Sequence, residues 1–209
     1  MISTSSTSIP ESVRRALADC QLETAPGDPP IDPNWGEPEL TPTEKVHAWC
    51  AFTVLASKSG DPAAPANAIP PMAWARCQLR TIVGVDENSV VPALRRHLDR
   101  HGFSYVKVTP SGGETFRATR LDPDHPWVRR TAASIGQTTG LVPAILPNLS
   151  GSLPNDAFSV LLGLPTIWVP HSYPGCSQHV PNEHLPIAIV REGLAIMAGI
   201  YWDLGEPSA

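Results

Sequence analysis

The pattern of hydrophobic and polar positions in the first half of the chain predicts a small α+β region. It indicates a short helix over 10–20, a buried strand over 49–57, a strand over 72–83, a helix over 88–101 and a strand over 104–109. In the helix over 88–101, hydrophobic residues recur at helical spacing, and Gly102 follows as a helix stop. The order strand, strand, helix, strand is typical of an open-faced α+β sandwich.

The second half alternates helices with short apolar strands. The pattern predicts a helix over 126–139 that ends at Gly140, a strand over 143–149, a short helix over 155–162 and a buried strand over 165–169. The closing helix carries apolar residues at helical spacing: Ile187, Val190, Leu194, Met197 and Tyr201. This alternation is typical of one edge of an α/β sheet, so two regions of different architecture are expected to meet near residue 120.

Composition and charge narrow the range of partners. The 209 residues carry a formal charge of −5, so neither nucleic acid nor an anionic membrane is expected as a partner. The most apolar stretch, 185–202, is interrupted by Arg191 and Glu192, and it is predicted to be a packed helix and not a membrane span. The cysteines are widely separated and no signal peptide is visible, which together favour a reduced, cytoplasmic protein.

Histidines concentrate on the segment between the predicted strand over 165–169 and the closing helix. His171, His179 and His184 all lie there. Loops that leave a strand are where open α/β sheets place their ligands, and neutral imidazole is a good zinc ligand. These histidines either bind a metal, cap the helix or lie on a solvated loop.

A second polar cluster, 150–156, precedes the predicted short helix. Its small residues let the backbone approach a ligand, and the helix start offers N–H groups to an anion such as a carboxylate. The alternative is a tight turn in which Asn155 or Asp156 caps the helix.

Several motifs occur in an order that resembles one enzyme family. They are Asn67-Ala-Ile-Pro, Arg76-Cys-Gln-Leu-Arg80, Gly84-Val-Asp, the helix from Leu94 to Gly102, Gly151-Ser-Leu-Pro, Gly163-Leu-Pro-Thr and His179-Val-Pro-Asn-Glu183. The ordered set resembles metallopeptidase family twenty, which includes aminoacylases, acetylornithine deacetylase, succinyl-diaminopimelate desuccinylase and carnosine-type dipeptidases. The resemblance covers most of the chain beyond about residue 45, and it matches the lid (dimerisation) domain and the closing part of the catalytic domain.

The resemblance implies a fold, an organisation and partners. The fold is a small α+β sandwich lid plus a partial α/β zinc-peptidase catalytic domain. Residues 1–44 would form an irregular N-terminal segment of the lid, 45–120 the lid itself, and 121–209 the C-terminal segment of the catalytic domain. A homodimer through the lid is expected, and the complete enzyme would act on small peptides or N-acyl amino acids.

The resemblance also implies roles for individual residues. His179 would be the last zinc ligand, Asn67 and Arg80 would reach the substrate, and Gly151 and Ser152 would line the pocket near its carboxylate. The simpler alternatives are that Asn67 serves only its turn and that Arg80 is a charge on a strand surface. Ser150 stands where many relatives have a glycine, which departs from the pattern of the pocket.

Most of the catalytic apparatus of the family has no counterpart in this sequence. In the family, the two zinc ions are held by residues of a His-x-Asp motif, a later Asp and a Glu-Glu pair that includes the general base. No Glu-Glu pair occurs in this sequence. The only His-x-Asp, His97-Leu-Asp99, lies in a predicted helix, where residues two apart do not share a face. Nothing around His47 matches the substrate-contacting histidine of the lid.

These absences lead to three alternative functions. The chain is expected to contain no catalytic residue, to bind zinc weakly and to be inactive alone, as the C-terminal portion of an amide-hydrolysing enzyme. Alternatively, it is a non-catalytic dimerisation or regulatory module related to these enzymes. A third possibility is that a separate polypeptide supplies the N-terminal half and that the two reconstitute an enzyme.

Overall fold

The structure, a computed structural model, describes residues 8–22, 30–112 and 116–206. The helices are α1 (Glu11–Ala18), α2 (Pro42–His47), α3 (Glu87–Arg100), α4 (Pro126–Thr139) and α5 (Ile187–Gly205), and the strands are β1 (Ala51–Ser59) and β2 (Ala73–Arg80). A π-helical turn, Ala157–Leu161, and a 3₁₀ turn, Pro174–Cys176, complete the elements. The predicted mixture of helices and strands is confirmed.

Most helix ends coincide with the sequence signals for them. Pro10 precedes α1, and the Asp86 side chain caps the start of α3 by accepting a hydrogen bond from the Asn88 N–H. Gly140 ends α4 with a φ of 72°, a left-handed conformation that glycine adopts without steric cost. The pattern did not predict α2, although Thr41 and Glu44 form a capping box there with proline at the first turn.

The two strands form an antiparallel sheet that is exposed rather than buried. Ala51 pairs with Arg80 and Ser59 with Ala73, and a β-bulge lies between Val54 and Ala56. The prediction of a strand near 49–57 is confirmed, but its burial is wrong, because Phe52 and Val54 are more than half exposed. Alternating hydrophobic residues establish a strand, whereas burial depends on whether another element covers the face.

Three predicted strands are absent from the described residues. The segments 104–109, 143–149 and 165–169 are not strands and pair with no strand there. In the first of them, the Val108 carbonyl accepts a hydrogen bond from the Arg95 guanidinium, 3.1 Å away, instead of joining a ladder. A strand exists only where a neighbour satisfies its backbone N–H and C=O groups, so an apolar run does not guarantee one.

The chain divides into two compact units. The first unit comprises the described residues of 8–9, 30–119 and 148–152, and the second unit those of 10–22, 120–147 and 153–206. Two short segments therefore cluster away from their sequence neighbours. Residues 10–22, which the sequence analysis placed with the lid, group with the second unit, and 148–152 group with the first. The identification of these units as lid and catalytic segment stays a prediction.

Helix packing builds the core of the second unit. Val13 and Leu17 of α1 are almost fully buried, and the Cys20 thiol contacts the Ile145 carbonyl at 3.7 Å. Helices α4 and α5 pack closely at Gly199, where a β-carbon would overlap the hydroxyl of Thr138. Arg130 of α4 donates hydrogen bonds to the carbonyls of Asp203 and Glu206, so a cation satisfies the C-terminal end of α5.

One face of α5 is apolar and uncovered. Ile187, Leu194 and Tyr201, spaced seven residues apart, are each about 70% exposed, and Trp202 beside them is 73% exposed. The sequence pattern predicted a packed helix, and for this stripe the prediction of burial is wrong. Much apolar surface is therefore left in contact with water.

Among the described residues, no helix has both the length and the apolar character needed to cross a bilayer.

Candidate functional site

Arg80 and the turn at 150–152 come together in the first unit. Arg80 is the last residue of β2, and its guanidinium donates a hydrogen bond to the backbone carbonyl of Ser150. Gly151 and Ser152 follow directly and are exposed. The sequence separation is 70 residues, so the fold brings together one predicted lid residue and the predicted pocket turn.

The guanidinium of Arg80 is available for a second partner. Its Nε lies 3.5 Å from the Gln78 side-chain oxygen, which is a weak hydrogen bond, and the side chain is exposed. A guanidinium carries five N–H donors arranged to bind a carboxylate at two points. The arrangement is therefore chemically suited to an anionic oxygen beside Gly151, in addition to the carbonyl that it already holds.

Asn67 lies in the same unit, on the connection between β1 and β2. It is exposed, and its side chain makes no hydrogen bond to any residue that the structure describes. The alternative in which Asn67 serves its own turn through its side chain receives no support from these contacts. Among the described residues, no hydrogen bond joins Asn67 to Arg80 or to the turn at 150–152.

His47 is a half-buried residue next to this turn, and the sequence pattern gave it no role. The Asn148 side chain donates a hydrogen bond of 2.7 Å to the His47 carbonyl, which fixes the residue two positions before Ser150. The Nδ1 atom of His47 is buried without a hydrogen-bond partner among the described residues. Burial lowers the pKa of His47, and a contact with the Asn148 backbone opposes this shift in part. Burial therefore favours the neutral form of the ring.

The predicted zinc ligand His179 lies in the second unit on a tightly folded loop. The His184 N–H donates to the Cys176 carbonyl at 3.0 Å, and the Gln178 side chain donates to the Ser172 hydroxyl at 2.6 Å. Cys176 is buried at the base of the loop. His179 itself is exposed, so the loop presents its imidazole outward.

The backbone of this loop is strained. Ser177, His179 and Asn182 have φ values of 56°, 64° and 68°, and they are the non-glycine residues of the described chain with positive φ. The left-handed conformation costs roughly 1–2 kcal/mol for a residue with a β-carbon. Strain of this kind clusters at ligand-binding loops, where surrounding contacts impose it. The residue types are only a weak signal for it, because asparagine and histidine adopt this conformation more often than most residues do, whereas serine does not.

His171, the first histidine of the cluster, has a packing role. A β-carbon at Gly193 of α5 would lie 2.7 Å from the Nδ1 atom of His171, so the imidazole lies directly against the helix backbone. This contact, rather than a helix cap, explains the position of His171. His184 also remains local, since its Nδ1 lies 2.9 Å from the Asn182 carbonyl.

The described residues do not fit a zinc centre by themselves. No group of three or more His, Cys, Asp or Glu side chains within 8–22, 30–112 and 116–206 is placed to hold a metal ion. A catalytic zinc needs about three protein ligands and one open position. The role of His179 as a ligand therefore stays a prediction that requires ligands from elsewhere.

In the second polar cluster, Asn155 contacts Trp168, and the role of Gly151 and Ser152 in binding an anion stays a prediction. The Asn155 side-chain oxygen accepts a hydrogen bond of 2.8 Å from the Trp168 indole, and no side-chain cap bond is made by Asp156 at the π-helical turn. The Asn155 side chain therefore anchors Trp168. An open groove of about 440 Å³ beside α3 is lined by Arg95, Asp99 and Lys107 among others and by none of the predicted site residues.

The chain is similar in fold to a known metallopeptidase. It resembles the M20 family metallo-carboxypeptidase Sso-CP2 from Sulfolobus solfataricus, with a TM-score of 0.72 and a sequence identity of 19%. The similarity covers 92% of this chain and 45% of that chain, so this chain spans less than half the length of that protein. No protein-family profile and no curated protein matches the sequence. The similarity establishes an M20-like fold and nothing finer.

Proposed function

We propose that this chain is the C-terminal portion of a dinuclear-zinc amidohydrolase that cleaves amide bonds of small peptides or N-acyl amino acids. The observation that carries the proposal is the M20-like fold over 92% of the chain, in a chain whose ordered motifs resemble the same family. The metallo-carboxypeptidase fold supports the proposed class of reaction. The fold alone does not fix the substrate.

The substrate's carboxylate would bind between Arg80 and the turn at 150–152. The contact of the Arg80 guanidinium with the Ser150 carbonyl supports this assignment. A carboxylate placed beside Gly151 and Ser152 would take a charge-assisted hydrogen bond from the same guanidinium, which is stronger than the bond to a neutral carbonyl. Asn67 would contact the substrate from the connection between β1 and β2, and it has no competing side-chain partner among the described residues.

The chain would be inactive alone and would require a polypeptide that supplies the missing ligands. His179 can provide one ligand, and the uncovered apolar surface of α5 supports the presence of a covering element in the complete enzyme. Zinc in the complete site would lower the pKa of a bound water and polarise the amide carbonyl. This chain would contribute one zinc ligand, His179, and the residues that contact the substrate.

The first test is reconstitution. The purified chain with zinc should show no turnover of dipeptides or N-acetyl amino acids. The chain mixed with a polypeptide that carries the His-x-Asp and Glu-Glu motifs of the family should hydrolyse them in a zinc-dependent manner. Arg80→Ala should raise the KM of the mixture for a carboxylate substrate, and Arg80→Lys should raise it less, because a lysine retains the charge but not the fork. Chelator-sensitive turnover by the isolated chain would contradict the proposed incompleteness.

A second candidate function is a non-catalytic dimerisation module, which the exposed sheet favours. Phe52 and Val54 of β1 are 58% and 57% exposed and lie on one face of a two-stranded sheet. Exposed strand edges and apolar faces are ready surfaces for another copy. Light scattering should show a homodimer that Phe52→Lys converts to monomer, while the control Lys58→Glu at the far end of the strand does not. A strictly monomeric chain at high concentration would count against this function.

A further inference from the structure

Two histidines lie at the C-terminal end of α3, and neither has a role in the proposed function. His97 and His101 are four residues apart, so they lie one above the other on the same face of the helix. Their ring centres are 4.5 Å apart and the ring planes are inclined by 42°. Neither ring makes a hydrogen bond to a described residue, and His101 is exposed to solvent.

We propose that His97 and His101 form a surface site for one divalent ion of the late transition metals. Imidazole nitrogens lie about 2.0–2.1 Å from such an ion, so two imidazoles on adjacent coordination positions have their ring centres about 4–5 Å apart. The observed distance of 4.5 Å between the ring centres falls within this range. Two histidines at this spacing on one helical face are a recurring metal-binding arrangement.

The chemistry of the ligands sets the order of affinities. A site of two imidazoles completed by water binds Cu²⁺ more tightly than Ni²⁺ or Zn²⁺, following the general order for nitrogen ligands. Mg²⁺ and Ca²⁺ require oxygen ligands and are not expected to bind. The site belongs to the first unit, whereas His179 belongs to the second. It is thus independent of the zinc centre proposed above.

The charges around the pair lower its affinity in a way that can be tested. Arg100 lies close enough to act electrostatically on His97, and its Nε atom donates to the Arg96 carbonyl at 3.3 Å along the same helix. A cation next to the pair repels a metal ion. Replacing Arg100 with glutamine should therefore tighten metal binding, which is the opposite of the effect expected for loss of a ligand.

The test is calorimetric titration of the chelator-stripped chain with CuCl₂, NiCl₂, ZnCl₂ and MgCl₂ in a non-coordinating buffer. One Cu²⁺ should bind per chain, and His97→Ala and His101→Ala should each weaken binding at least about tenfold, since one imidazole cannot replace two. His179→Ala should leave this binding unchanged, and Arg100→Gln should strengthen it several-fold. Circular dichroism of each variant shows whether the helix is intact.

A second measurement separates this site from the proposed enzyme function. Hydrogen exchange with and without Ni²⁺ should show protection of the amides in the last turn of α3, because the ion ties residues 97 and 101 together. Metal binding that depends on His179 but not on His97 would overturn the two-histidine site and support the zinc ligand instead. Equal binding by wild type, His97→Ala and His101→Ala, or no binding of Cu²⁺, would also overturn it. Amide hydrolysis by the reconstituted mixture should be unaffected by His97→Ala. That result distinguishes the metal site of His97 and His101 from the zinc centre of the proposed enzyme.

Discussion

The two units of the chain hold their structure by different means. The first unit owes its regularity to the β1–β2 hydrogen-bond ladder, and its buried residues are few and mostly small or polar, such as Glu44, Ala48 and Ala93. In the second unit the described residues form no ladder, and the two most fully buried side chains of the described chain, Val13 and Cys176, lie there. Backbone pairing alone leaves a sheet face open to water, whereas helix packing necessarily buries side chains.

The largest expected effect separates buried from exposed leucine within the second unit. Leu17 of α1 is 3% exposed and Leu194 of α5 is 68% exposed. Leu17→Ala should lower the free energy of unfolding by about 2–5 kcal/mol, because it removes buried methyl groups and leaves a cavity. Leu194→Ala should change it by less than about 0.5 kcal/mol in the isolated chain. Denaturant unfolding of the purified variants measures both.

The comparison of Leu17 with Leu194 also tests whether the α5 stripe is covered in the complete protein. If a partner polypeptide covers the stripe, Leu194→Ala should lower the stability of the complex with that partner. The same substitution should leave the free energy of unfolding of the isolated chain unchanged. An equal loss of stability for both variants in the isolated chain would show that the α5 stripe is buried there.

The next effect probes the contact between His171 and Gly193. A β-carbon at Gly193 would lie 2.7 Å from Nδ1 and 3.0 Å from Cγ of the ring, so the imidazole must move as a whole. Gly193→Ala should destabilise the second unit by about 1–3 kcal/mol, despite the higher helix propensity of alanine. His171→Ala in the same chain should restore much of the loss. Gly136→Ala in α4 is the matched control, because its β-carbon would make ordinary contact at 3.4 Å from the Leu141 carbonyl.

A smaller effect concerns the start of α2 in the first unit. The Thr41 hydroxyl accepts a hydrogen bond from the Glu44 N–H at 3.3 Å, and the Glu44 carboxylate accepts one from the Thr41 N–H at 2.8 Å. Thr41→Ala should cost about 0.5–2 kcal/mol, whereas Thr41→Ser should cost little because it keeps the cap. Hydrogen exchange of α2 gives the readout. Unchanged protection in Thr41→Ala would mean that packing, not the cap, holds the helix.

The smallest effect is a dependence on pH that arises from His47. Burial places its folded-state pKa below the unfolded value of 6.5, so the unfolded chain binds the proton first as the pH falls. The stabilisation is therefore complete above about pH 6.5 and declines as the pH drops from there towards the folded-state pKa. His47→Gln should flatten the change in Tm between about pH 7.5 and about pH 5.5. A steeper loss in the variant would show that other groups dominate.

Helix positions were largely predictable from the sequence, whereas of the five predicted strands only the two that pair with each other, β1 and β2, occur among the described residues. The signals around Pro10, Gly102 and Gly140 act through backbone geometry within one or two turns, so they operate wherever the helix is packed. The capping box of Thr41 and Glu44 is a local signal of the same kind. The segments 143–149 and 165–169 carry apolar runs, but a strand needs a partner that a sequence pattern cannot supply.

Individual site residues followed the same division. The sequence placed Arg80, Gly151 and Ser152 in one family-like order, but only the fold brings the Arg80 guanidinium to the Ser150 carbonyl across 70 residues. The buried Nδ1 of His47 and the packing of His171 against Gly193 had no sequence signal, because both depend on what lies opposite. The pair of His97 and His101 is the reverse case. Their spacing of four residues can be read from the sequence, and the helix brings the two rings together.

The sequence by itself determined where most of the helices begin and end and which residue types are available for chemistry. Tertiary structure alone decided which faces are covered, because burial and distant contacts depend on the elements that meet. The stripe of Ile187, Leu194 and Tyr201 shows the difference: its helical spacing is local, while its exposure follows from the absence, among the described residues, of any element packed on it.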